Sequence, residues 1–223
     1  MFPIKNRIAD LPVIDLRALS RGLLAAVILT GLLLTGPARA GETPAETVQT
    51  VNDALLHVMK NAEALGFQGR QAYLTPVLTE TFDLPAMARL AAGRYWDRFD
   101  NDEKRNLVAY FTDLSISTFA ARFDGYSGET WQIEGTSEAP RGGTIVENRL
   151  ITGRGEIFAI NYLMRQTESG DWRIIDVYLD GNISELALRR SEFNSVLRNG
   201  GVDHLLDQIA QQVGRLSNTP QTN

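Results

Sequence analysis

The chain of 223 residues has no cysteine. That absence excludes disulfides, thiolate nucleophiles and cysteine-ligated metal sites. Histidine is almost as scarce. His57 and His204 are the two present, and neither has a second histidine or a carboxylate at i+4, so a helical zinc pattern has no support. An excess of positive charge is missing too: the formal net charge is −5, whereas nucleic-acid binding needs a concentrated basic face. There is no glycine-rich phosphate loop. The segment GYSGE superficially resembles a nucleophile elbow, but its serine does not stand in G-x-S-x-G and its surroundings are not strand–turn–helix. Internal repeats and linkers are also lacking. What remains is the composition of a soluble globular protein, 43% apolar and 22% charged, of a length that suits one domain plus a targeting segment.

That targeting segment is legible. Lys5, Arg7, Arg17 and Arg21 make the N-terminus basic, an apolar run follows from Leu23 to Thr35, and Pro37 leads into Ala38-Arg39-Ala40. Basic region, short apolar stretch and A-x-A site are the order of a secretory signal, with cleavage expected after Ala40. The alternative is an uncleaved N-terminal membrane anchor. Without residues 1–40 the chain carries 17 basic and 25 acidic side chains, a net of about −8. No cysteine follows the signal to accept a lipid, so a freely soluble periplasmic protein is expected.

Residues 41–216 read as one α+β domain, and 217–223 as a polar, disordered tail. Val48, Val51, Leu55, Val58 and Met59 recur at helical spacing over 43–65, with Thr43 and Glu46 as a capping box, Pro44 in the first turn and Gly66 as a stop. Further helices are predicted over 71–78, 85–96 and about 101–122. The period then changes to two in WQIEG, GTIVENRLI, GEIFAINYLMRQ and GDWRIIDVYLDG, with glycine-bearing turns at 142–143, 153–155 and 169–171. These predict an antiparallel meander of about four strands, curved and wrapped by helices into a cone around an apolar pocket. Helices over 183–199 and 202–216, separated by Gly200, close the domain.

Asp176, on a strand with Trp172, Ile174 and Tyr178, is a candidate base for an apolar substrate in such a cone. The alternative is an ion pair with Arg189 or Arg190. No second catalytic group is evident, so catalysis is not the favoured reading.

FDLPAMARLAAGRYWDR with RNLVAYFTDLSISTFAARFDGYSGE resembles the two central helices of the MlaC, or toluene-tolerance, family. DWRIIDVYLDGNISELALRRSEFNSVLRNGGVDHLLDQI is similar to that family's C-terminal block, and DGYSGE with VYLDGNISELALRRSEF is closest to the hopanoid-associated branch called HpnM. The resemblance implies an NTF2-like cone and a periplasmic carrier of acyl chains, from phospholipid or a hopanoid-type lipid. It also implies an inner-membrane ABC transporter with a membrane-anchored ring protein, and an outer-membrane lipoprotein complex, as partners. It implies no cofactor and no enzymatic role. Carried over by position, the pocket wall comes from Leu84, Met87, Leu90, Phe111, Leu114 and Phe119 on the central helices. The strands add Phe158, Ile160, Tyr162, Ile175, Val177 and Leu179, and the C-terminal helix Leu188, Phe193 and Leu197. Arg94, Arg189 and Arg190 would meet a head group or partner. For each, plain core packing or a structural ion pair is the alternative. A non-lipid periplasmic adaptor is the third functional possibility.

Overall fold

The computed structural model describes residues 42–218. The expected signal segment and its cleavage position lie outside them, as do residues 219–223 of the expected tail.

Helix α1 (Pro44–Lys60) begins where the capping box sets it. The Thr43 hydroxyl accepts from the Glu46 N–H at 3.2 Å, and the Glu46 carboxylate accepts from the Thr43 N–H at 2.7 Å. Helix α2 (Ala62–Thr81) follows after Asn61 alone, so the predicted stop at Gly66 is a kink within a helix. Gly66 takes φ 58°, a conformation that costs glycine little, and the chain resumes its helical course. Asp83 caps α3 (Leu84–Ala92), a 3-10 turn spans Gly93–Arg98, and α4 (Asn101–Arg122) opens on a second capping box made by Asp100 and Glu103.

Strands β1 (Thr130–Glu138), β2 (Thr144–Ile151), β3 (Ile157–Gln166) and β4 (Trp172–Leu179) form the expected meander. A fifth, β5 (Ile183–Ser184), adds to it, so the described sheet has order β1-β2-β3-β4-β5, antiparallel throughout. β5 comes from residues that the apolar spacing assigns to a helix. Instead Ile183 pairs with Leu179 and Ser184 with Tyr178. The Ser184 hydroxyl then accepts from the Ala187 N–H and starts α5 (Glu185–Ser217), which fuses the two predicted C-terminal helices across Gly201 at φ 73°. Ser217, expected in the tail, is the last helical residue. The sheet is open, with β1 and β5 as its edges. One face is enclosed by helices.

Two buried polar contacts fix that enclosure. Asn52 on α1 and Asn148 on β2 exchange side-chain hydrogen bonds of 3.0 and 3.2 Å at 1% and 0% exposure. Because each amide satisfies the other, Asn52→Ala leaves a buried amide unpaired and is expected to cost about 2 kcal/mol. The urea midpoint of the variant measures this. Arg70, 2% exposed on α2, donates from Nε to the Ala120 carbonyl at 2.9 Å and from Nη1 to the Ala62 carbonyl at 3.0 Å. The Ala120 carbonyl belongs to the last turn of α4, where carbonyls lack helical partners and a cation is favoured. Burial lowers the guanidinium from its ordinary value, and Asp124 opposes that fall. Sequence reading passed over Arg70 because a lone arginine in a helical pattern reads as surface.

Candidate functional site

A cavity of about 410 Å³ lies between the sheet and α2, α3, α4 and the start of α5. Its wall follows the periods of these elements. On α4 it takes Phe111, Ser115, Thr118, Phe119 and Arg122, a stripe at three-to-four spacing. From the sheet it takes Leu150 of β2, Phe158, Ile160 and Tyr162 of β3, and Val177 and Leu179 of β4. The pairings Leu150↔Phe158, Tyr162↔Val177 and Ile160↔Leu179 put these residues on one face. Leu78, Phe82, Leu84 and Met87 from α2, α3 and their junction close the deep end, where all four are buried. Phe158, Arg122 and Asp180 are exposed and mark the mouth.

The wall offers little polar chemistry. The Ser115 and Thr118 hydroxyls donate back to the Phe111 and Leu114 carbonyls at 2.8 and 2.7 Å. Burial pushes the Tyr162 phenol above its ordinary value, so it stays neutral. Charge is confined to the mouth, where Arg122 meets Glu185 at 3.5 Å and Arg189 meets Glu192 at 2.9 Å. Each arginine thus already has a carboxylate partner.

Of the expected wall, Leu84, Met87, Phe111, Phe119, Phe158, Ile160, Tyr162, Val177 and Leu179 line the cavity, and so does Arg189. The other positions are corrected. Leu114 is 1% exposed and is not a lining residue: three residues after Phe111 and four before Thr118, it borders the stripe and packs into the core beside it. Phe193 and Leu197 are core residues of α5, Phe193 packing edge-on against Phe111 at 6.2 Å. Ile175 falls in a β-bulge. Leu163 pairs with Asp176 but Met164 with Ile174, so Ile175 drops out of the alternation that carries Val177 and Leu179. Leu90 and Arg190 line a separate recess with Gly93 and Trp96. Leu188 is 50% exposed, and Arg94 donates to the Tyr95 hydroxyl at 3.2 Å on the surface. The lining residues that sequence reading missed are chiefly Leu78, Phe82, Phe123, Leu150 and Leu186. Their apolar character was visible, but nothing in periodicity separates a face turned to a void from one turned to packed atoms.

Asp176 is neither a cavity residue nor an arginine partner. Its carboxylate accepts from the Val177 N–H at 2.8 Å, the Ser184 hydroxyl at 2.6 Å and the Leu186 N–H at 3.0 Å, joining β4 to β5 and the first turn of α5. The alternative ion pair fails because α5 presents its N–H groups, not its arginines, to this carboxylate. Burial raises the carboxyl above its ordinary value of 3.8, against the pull of the three donors and with a smaller push from Glu185. A raised acid binds its proton more tightly in the folded state, so stability falls as pH rises from the ordinary value through the folded one. Asp176→Asn is expected to flatten that part of the stability–pH curve. Asp176→Ala, which strands three donors, should lose about 2–3 kcal/mol. Chemical denaturation across pH checks both. The histidines are elsewhere: His57 stacks on Tyr73 at 4.2 Å, and His204 bonds Gln208 at 3.1 Å. Among the described residues no cluster of His, Asp or Glu could hold a metal, and no helix is long and apolar enough to cross a membrane.

Comparison with known proteins gives a match of residues 49–211 to the family model described as MlaC protein. No curated protein matches. Among solved structures, the phospholipid-binding protein from Ralstonia solanacearum, in complex with a phospholipid, superposes with a TM-score of 0.67 at 20% identity. The match covers 77% of this chain and 97% of that one, and it shows a shared fold.

Proposed function

The chain belongs to the MlaC family, and on that premise we propose that it carries lipid by sheltering an acyl chain in the cavity between β3 and α4. The observation that carries this reading is an apolar wall whose α4 hydroxyls return to the backbone, whose one buried phenol, Tyr162, stays neutral, and whose charges stand at the mouth. At roughly 25 Å³ per carbon, the density of benzene in a cavity of about 150 Å³, the 410 Å³ space takes on the order of sixteen carbons. That is one acyl chain. A second chain of a phospholipid then requires the cavity to widen or rests along its mouth, and a fused-ring hopanoid requires a larger space still.

Each methylene kept from water is worth about 0.8 kcal/mol. A bilayer offers its lipids the same shelter, so moving a chain from membrane to cavity is close to neutral, which suits reversible transfer. In this reading the protein works in the periplasm after export. It receives and delivers lipid at an inner-membrane ABC transporter with its ring protein and at an outer-membrane lipoprotein complex. The phosphate of a head group would share Arg122 and Arg189 with Glu185 and Glu192. Because both cations are already paired, Arg189→Ala is expected to change lipid affinity by less than about tenfold, a value read by competition with a fluorescent acyl probe.

The test is solvent extraction of the protein purified from the periplasm of its own cells, followed by mass spectrometry. Near-stoichiometric phospholipid is the expected result. A protein that comes out empty overturns the carrier reading, and a hopanoid in the extract overturns the single-chain assignment.

A further inference from the structure

Around the mouth, apolar side chains continue past the cavity onto the surface. Ile160 pairs with Leu179 and Leu179 with Ile183, so Ile183 carries the cavity face to the edge strand β5, where it is 44% exposed. Phe158, next on the same face of β3, lines the cavity and is itself 45% exposed. On α5, Leu188 lies between Glu185 and Arg189, both of which line the cavity, and is 50% exposed. Large apolar groups exposed in this way around one opening mark a contact surface.

The charges there narrow the partner. The two arginines of the mouth are paired with Glu185 and Glu192, and Asp180 adds a further carboxylate at the rim. With about −8 net over residues 41–223, this surface has no cationic excess with which to hold an anionic bilayer. We propose that Phe158, Ile183 and Leu188 form a rim that dips into the interface of a bilayer with neutral head groups, setting the cavity mouth against the lipid it exchanges. The proposal rests on the carrier reading. It adds that the protein docks on lipid itself, through apolar contact.

The experiment is co-flotation of the exported protein with vesicles of pure phosphatidylcholine, and with vesicles containing phosphatidylglycerol. Binding to the neutral vesicles is expected to persist in salt of roughly 0.5 M, where charges are screened within about 4 Å, and to be no stronger on the anionic ones. Neither residue of the double variant Ile183→Ser/Leu188→Ser lines the cavity. The variant should lose about tenfold or more in vesicle partitioning while taking up a soluble fluorescent fatty acid as the wild type does. Failure of the wild type to float with pure lipid overturns the proposal, as does release by salt or a preference for anionic vesicles. Carrier function is judged separately by the fatty-acid uptake, so docking can fail while the cavity assignment stands.

Discussion

Thr118→Trp is expected to reduce bound lipid at least tenfold without unfolding the protein. Thr118 lies on the α4 stripe that faces the cavity, and its hydroxyl returns to the Leu114 carbonyl at 2.7 Å. That bond is auxiliary to the helix, so losing it harms little. The indole adds seven heavy atoms, roughly 175 Å³ at the density used above, to a space of about 410 Å³. About seven methylenes of ligand lose their place, each worth about 0.8 kcal/mol against water. A chain can retreat toward the mouth and recover part of this, which is why tenfold is the lower bound. Folding should change by less than about 1 kcal/mol, because the new side chain enters a void rather than packed core. Lipid per protein after extraction and the thermal midpoint are the two measurements. Leu114→Trp makes the contrast: at 1% exposure it overpacks the core and should destabilise.

The second large effect is Arg70→Met, expected to cost about 3 kcal/mol. A methionine retains most of the apolar stem but abandons the Ala120 and Ala62 carbonyls, which Arg70 meets at 2.9 and 3.0 Å in a site shut off from water. Buried acceptors without donors are each worth about 1–3 kcal/mol, and bonds from a charged donor stand at the upper end of the range. For a domain of this size the midpoint should fall by about 6–12 °C. Lipid capacity per folded molecule should survive, since Arg70 is not on the cavity wall. A variant as stable as the wild type would show that the two carbonyls find other donors.

Which features sequence alone discloses follows from how local their causes are. The capping box of α1 involves residues three apart and the glycine-bearing turns set the meander, so both were legible, whereas the Asp100–Glu103 box that opens α4 was passed over. β5 was not, because a two-residue strand leaves no period of its own. The bulge at Ile175 was hidden for a related reason: alternation continues in the sequence while the register slips in the sheet. The cavity wall was half legible. Phe158, Ile160 and Tyr162 alternate along β3 and so share the cavity face. On α4 apolar residues surround the helix, so Phe111 and Leu114 look alike in sequence although one faces the cavity and the other only the core. Asp176 was misread because its partners are backbone N–H groups of α5, and a backbone group has no letter in a sequence.

A crystal structure of the protein loaded with a phospholipid tests the central claim most directly. The account predicts acyl-chain density running from Phe158 at the mouth, between Phe119 of α4 and Tyr162 of β3, toward Leu78 at the deep end, with the head group outside near Arg122 and Arg189. Density for the chain anywhere else, or a cavity filled by rearranged side chains while lipid is bound, would contradict it.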